Sequence, residues 1–168
     1  MTPEFLRACL AGMTERAAAL LALSLPASWP DSPSILQLRL EQLEGDPTLQ
    51  PWLLRAMRRR SDGAMIGHIG FHTKPGPAYL KDWSPDAVEF GCTVFPDYRR
   101  RGFAREASLG LMRWAQKFSG VSEFVVSIGR ENEASRALFA GLGFTRVGSH
   151  VDEIDGIEDV FVYRQAEA

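Results

Sequence analysis

"VFPDYRRRGFAREA", Val94–Ala107, runs three consecutive arginines into a glycine where the chain turns helix-favouring. A helix start leaves its first backbone N–H groups without partners and carries a partial positive charge. Anions settle there. Gly102 puts no Cβ between backbone and ligand, and Ala104 keeps the next turn slim. The guanidinium groups of Arg99, Arg100 and Arg101 add forked donors suited to phosphate oxygens. Together these features describe a pyrophosphate cradle. It is not a nucleotide P-loop, which needs a Gly-Lys-Ser/Thr ending, nor a Rossmann turn, which needs Gly-x-Gly-x-x-Gly. Taken alone, the stretch also fits a plain helix start with solvated arginines.

Outward from this turn, Gly102 to Phe118 reads as a long helix, with Ala104, Ala107, Leu111, Trp114 and Ala115 on one side. Ala87 to Phe95 reads as the strand before it and Glu123 to Ser127 as the strand after. A second helix follows from Asn132 to Leu142, closed by Gly143. Phe144 to His150 and Ile157 to Arg164 make a last strand pair around Asp155-Gly156. Strand, helix, strand implies parallel pairing through a right-handed crossover. Upstream, Trp52 to Arg59 and Ala64 to His72 form a hairpin across Asp62-Gly63. Thr2-Pro3-Glu4 starts a helical region that Gly12 and Thr14 split into two short helices. Ser34 to Leu43 is a further helix, with Ile35, Leu38 and Leu43 expected inward. The pattern is a mixed α/β sheet with flanking helices.

The chain has 168 residues, 45% hydrophobic and 24% charged, as expected of one soluble globular domain. A net charge of -2 exerts no global pull on nucleic acid or an anionic membrane, so any anion site must be local. The apolar run "AAALLALSL" at 17–25 lacks a preceding basic region and is too short to span a bilayer, which takes about 20 residues. A cytoplasmic location follows as an expectation. Cys9 and Cys92 match no metal or redox spacing and read as free thiols, and no metal is expected.

A second stretch, "NEASRALFAGLGF" (Asn132–Phe144), changes the weighting. Arg99-x-x-Gly102-x-Ala104, followed by Asn132, Ser135, Leu138, Phe139, Gly143 and Phe144, resembles the GNAT superfamily of N-acetyltransferases. The lead-in "VEFGCTVFPDYRRRG" is similar to its ribosomal-protein-acetyltransferase-like branch. The resemblance implies a largely antiparallel sheet with a central, splayed parallel strand pair. It implies one domain over 1–168, with 1–48 as a helical substrate-side segment and 50–165 as the CoA-binding core. It implies acetyl-CoA as acyl donor. The backbone of Arg100, Arg101, Gly102, Phe103, Ala104 and Arg105 would take the pyrophosphate. Cys92, Thr93, Val94 and Phe95 would take the pantetheine arm, with Asn132 touching it and Ser135 one turn on. An amine acceptor (a protein N-terminus, a lysine or a small molecule) is implied, and a homodimer is a family habit.

An attacking amine must lose a proton, and the tetrahedral oxyanion needs a donor, for which the backbone N–H near Val94 is the family-like candidate. Glu89, a carboxylate in the apolar run "AVEFGCTV", is the first candidate base. His72, at the end of the hairpin, is the second. His68 and His150 read as structural. Phe139 stands where many members of the family carry a tyrosine that protonates the leaving thiolate, a role phenylalanine cannot fill. Tyr163 is an unplaced substitute, and Tyr98 reads as packing. Asp152, Glu153, Asp155, Glu158 and Asp159 form an acidic stretch, read as a solvated turn or an attractor of cationic amines. Trp29 and Trp83 lie in loops that could wall a substrate pocket. A non-catalytic acyl-CoA sensor remains the alternative reading. Nucleic-acid binding through Arg58–Arg60 and Arg99–Arg101 is disfavoured by the acidic balance.

Overall fold

The computed structural model describes residues 1–152 and 156–165. Packing divides the chain into two compact units: Met1–Gly70 with Cys92–Arg101, and Phe71–Gly91 with Gly102–Ala168.

In the first unit the N-terminal region forms two short helices, α1 (Pro3–Leu10) and α2 (Thr14–Leu21), broken at Gly12 with φ +70°. The Thr2 hydroxyl caps α1, accepting from the Phe5 N–H at 3.2 Å. The next helix, α3 (Pro33–Gly45), buries Leu36, Leu40 and Leu43. Ile35 and Leu38, expected inward, are 37% and 49% exposed. Leucines at 36, 38, 40 and 43 give α3 more than one apolar row, and the i, i+4, i+7 row through Leu36 is the one that packs. Trp29, expected in a loop, lies in the core beside Phe5 and Phe95, ring centroids 6.4 and 6.1 Å away. Burying each such side chain stabilises by about 1.5–3 kcal/mol.

Strand β1 (Arg55–Arg58) is shorter than expected, because the N–H groups of Trp52 and Leu53 donate back to the Leu49 carbonyl in a turn, at 2.8 and 3.1 Å. It pairs antiparallel with β2 (Met65–Phe71), Arg55 opposite Ile69 and Met57 opposite Gly67. Two glycines of β2 permit close approach. A Cβ on Gly67 would overlap the Thr93 carbonyl, and one on Gly70 would stand 2.8 Å from the Leu53 carbonyl oxygen. Backbone cannot yield as a flexible side chain does.

Strand β3 (Val88–Val94) is shared by the two units along its length. In the second unit it pairs in parallel with β4 (Glu123–Gly129) at Val88–Phe124 and Glu89–Val125, the ladder covering only the start of each seven-residue strand. The last strands are β5 (Thr145–Asp152) and β6 (Gly156–Arg164), and the sheet order is β1-β2-β3-β4-β6-β5. The expected mixed, largely antiparallel sheet with a central parallel pair is therefore present. Helix α4 (Phe103–Ser119) follows β3, and α5 (Glu133–Ala140) follows β4. The core of this unit is aromatic: Phe71, Phe90, Phe124, Phe139 and Phe144 are each at most 5% exposed.

A bulge in β5 leaves Val147 unmatched between Arg146–Phe161 and Gly148–Val160. Beside it, Gly148 leaves room for the Trp83 ring, which a Cβ would strike. Asp159, on β6, is buried and receives Arg136 at 2.5 Å, Arg146 at 2.8 Å and Arg130 at 3.6 Å. The hydrogen bonds from Arg146 and Arg136 hold its carboxyl far below the ordinary range. A depressed carboxyl contributes stability above the unfolded value of about 3.9 and loses it as pH falls toward the folded value. Asp159→Asn should melt several degrees below wild type at pH 7, and the gap should narrow in thermal melts below about pH 4.

Candidate functional site

The turn at Arg99–Ala104 is built from left-handed backbone. Pro96–Tyr98 makes one 3-10 turn, and the Tyr98 ring lies 5.0 Å beneath the Arg59 guanidinium, a packing role. Arg99 Nε donates to the Val94 carbonyl at 2.9 Å. Arg100 then takes φ +59° and Gly102 φ +82°. Gly102 is the N-cap of α4, and no side chain caps the helix. A Cβ on Gly102 would meet nothing within 4 Å among the described residues. The glycine is thus demanded by its dihedral angle rather than by crowding. The first intrahelical bond of α4 runs from Glu106 N–H to the Gly102 carbonyl at 3.0 Å. The N–H groups of Phe103, Ala104 and Arg105 come before it, at the positive end of the helix dipole. Arg100, Arg101 and Arg105 are exposed, and Arg105 also donates to the Gly141 carbonyl at 3.3 Å.

Ahead of the turn, Phe95 N–H donates to Ile66 O at 2.9 Å. Backbone groups alternate along a strand, so those of Thr93 and Phe95 face β2, while those of Cys92 and Val94 face the opposite edge. Of the four residues expected along the pantetheine arm, Cys92, Thr93 and Val94 are half-buried. The Phe95 side chain is committed to the core against Trp29 and His68. Burial pushes the Cys92 thiol up to about 12, so it stays protonated at neutral pH and is a poor nucleophile.

In the second unit, Asn132 Oδ1 accepts from Ser135 N–H at 3.1 Å and so caps α5, joining two expected site residues. Phe139 packs edge-on to Phe90 and Phe144 at 5.7 and 5.2 Å, so its ring is core. Tyr163 packs beside Phe144 and Phe124 at 5.5 and 6.4 Å.

Glu89 and His72 are brought together. Glu89 is 6% exposed, its Oε1 accepts from Ser127 Oγ at 2.5 Å, and its Oε2 lies 3.3 Å from His72 Nδ1. Burial alone would raise this carboxyl. The hydrogen bond and charge of His72, with hydrogen bonds from Ser127 and Tyr79, outweigh burial and hold it below the usual range. The Glu89 carboxylate at Nδ1 orients the imidazole by accepting from that nitrogen. His72 is 38% exposed, and Gly91 makes room for it, since a Cβ there would stand 3.3 Å from Nε2. Ser127 and Tyr79 were missed from sequence. The interruption of the apolar run "FVVSI" by a hydroxyl was the available signal for Ser127; Tyr79 had none.

His68 is structural, as expected. It is buried beside Trp29 and pairs with Asp31 at 3.3 Å; desolvation lowers its pKa, and Asp31 opposes this only in part. Within the acidic stretch, Asp159 is a buried structural anchor rather than part of a solvated turn, and Glu153 and Asp155 lie outside the described residues. Trp83 packs on Leu80, Ala87, Val125, Val160 and Val162. No helix among the described residues is long and apolar enough to cross a membrane.

A family model described as an acetyltransferase (GNAT) domain matches residues 9–145. The FsC-acetyl coenzyme A-N(2)-transacetylase of Aspergillus fumigatus is 29% identical over 103 residues, 59% of this chain and 44% of that protein. The aminoglycoside N(6')-acetyltransferase type 1 of Salmonella typhimurium is 28% identical over 116 residues, 69% of this chain and 77% of that protein. The chain thus spans less than half the length of the first relative. Among solved structures, the ribosomal-protein-alanine N-acetyltransferase from Brucella melitensis superposes with a TM-score of 0.62 at 19% identity. That superposition covers 98% of this chain and 97% of the other and attests the shared fold.

If main chain rather than arginine charge makes the anion site, Gly102→Val should weaken acetyl-CoA binding at least tenfold in calorimetry, because a branched residue resists φ +82°. Arg100→Ala should weaken it only a few-fold.

Proposed function

The chain belongs to the acetyltransferase (GNAT) domain family, and from this premise we propose that it moves the acetyl group of acetyl-CoA to a primary amine, of a peptide or small molecule, by direct attack. The observation that carries the reading is the uncapped start of α4 behind a left-handed glycine, on the residues of the family's phosphate motif. Backbone N–H groups aimed at an open turn suit a pyrophosphate without needing any one arginine. The names of the relatives, which act at N(2) and N(6') positions, support an amine acceptor.

Direct transfer fits the thiol chemistry. Cys92, raised to about 12, is unsuited to carry an acetyl group between substrates. In the proposed step the amine nitrogen attacks the thioester carbonyl, and its proton passes to His72 Nε2. The N–H edge of Cys92 and Val94 is the candidate donor to the oxyanion. The C–S bond then breaks and CoA leaves as a thiolate. A thiol of pKa about 8.5 tolerates this without a general acid, consistent with phenylalanine at 139. We assign the base to His72 and the positioning to Glu89, reversing the order of preference drawn from the sequence. A carboxyl held below its usual range is a weak proton acceptor but a good anchor for an imidazolium.

Thiol release from acetyl-CoA should be steady with at least one member of a panel of peptide and small-molecule amines. Binding without turnover on any amine would favour the sensor instead. With that acceptor, His72→Ala should lower kcat by about 100-fold or more while KM for acetyl-CoA holds within about twofold. Glu89→Gln should lower kcat by about tenfold. A full rate in His72→Ala alongside a larger loss in Glu89→Gln would return the base to the carboxylate.

A further inference from the structure

We propose that the β5–β6 hairpin holds a divalent first-row transition metal ion between His150, Asp152 and Glu158. His150 and Glu158 are directly opposed across the two antiparallel strands, and Asp152 lies two residues beyond His150 on the same face. One imidazole nitrogen and two carboxylate oxygens lie within 4.8 Å of one another. His150 Nε2 and Glu158 Oε2 stand 3.7 Å apart. That is too long for a hydrogen bond. It is close to the spacing of about 3.4 Å that two ligands take around one ion at 2.0–2.2 Å in tetrahedral geometry. The Glu158 side chain is only 17% exposed, so its orientation is constrained by packing, while His150 at 40% leaves the site open to entry from solvent.

The bulge at Val147 supplies an independent reason. Without it, Arg146 would share the face of Gly148, His150 and Asp152, and its charge would repel a cation there. The register shift instead aligns Arg146 with Phe161 and sends its guanidinium to Asp159, on the other face of β6. Arg130 and Arg136 join the same carboxylate. The bulge thereby turns Arg146 to the face of Asp159, while His150, Asp152 and Glu158 lie on the opposite face of the hairpin. Such a set suits zinc or manganese, with the remaining coordination positions left for water. The sequence alone led to an expectation of no metal; strand pairing is what brings these three residues together.

The test uses the full chain stripped with chelator and titrated with Zn²⁺ and with Mn²⁺ by calorimetry. One ion per chain should bind. His150→Ala and Glu158→Gln should each weaken binding at least tenfold, and Asp152→Asn measurably, while far-ultraviolet dichroism and the melting temperature of the metal-free variants match wild type. Three outcomes overturn the proposal: no binding of either ion at millimolar concentration, affinity unchanged in both His150→Ala and Glu158→Gln, or binding of a polyamine probe at these residues without metal binding.

Discussion

A carboxylate taken out of water must be surrounded by donors, and this molecule meets that constraint in two ways. Asp159 is enclosed by Arg130, Arg136 and Arg146, three permanent charges that leave it no other protonation state near neutral pH. Glu89 is equally buried but is held by one imidazole and the hydroxyls of Ser127 and Tyr79. The first arrangement is an anchor. In the second, one donor is itself a group that can gain or lose a proton, and that difference makes Glu89 and His72 a candidate for chemistry.

The turn into α4 follows a similar logic with partial charges. Its conspicuous feature in the sequence is a run of arginines, yet its geometry is decided by Arg100 and Gly102 in the left-handed region. The helix start carries no side-chain cap, and the N–H groups of Phe103, Ala104 and Arg105 precede its first intrahelical bond. The guanidinium groups add field and lie exposed, where solvent and salt screen them.

The elements were legible because their signals are local. Thr2-Pro3, Asp62-Gly63 and Gly143 act on their immediate neighbours, and the spacing of α4 and α5 repeats within a turn or two. Facing was less legible. In α3, leucines at 36, 38, 40 and 43 fit more than one buried row, and only packing against Phe5 and Trp29 in the same core selects among them. Trp29 could wall a pocket as easily as fill a core until its neighbours were known, and Phe95 sat in a motif assigned to a ligand while its ring served Trp29 and His68.

By itself the sequence determined the order of strands and helices, the turn into the long helix at Arg99–Ala104 and the family to which these motifs point, because each rests on backbone conformation set within a few residues. The tertiary structure alone decided which side chains meet. His72 and Glu89, Ser127 and Glu89, Arg146 and Asp159, and His150 and Glu158 are each separated along the chain and joined by strand register. One bulged residue at Val147 decides which side chains of β5 share a sheet face with which side chains of β6. No local pattern of residues encodes such a register, since it depends on how two strands fit across a shared core.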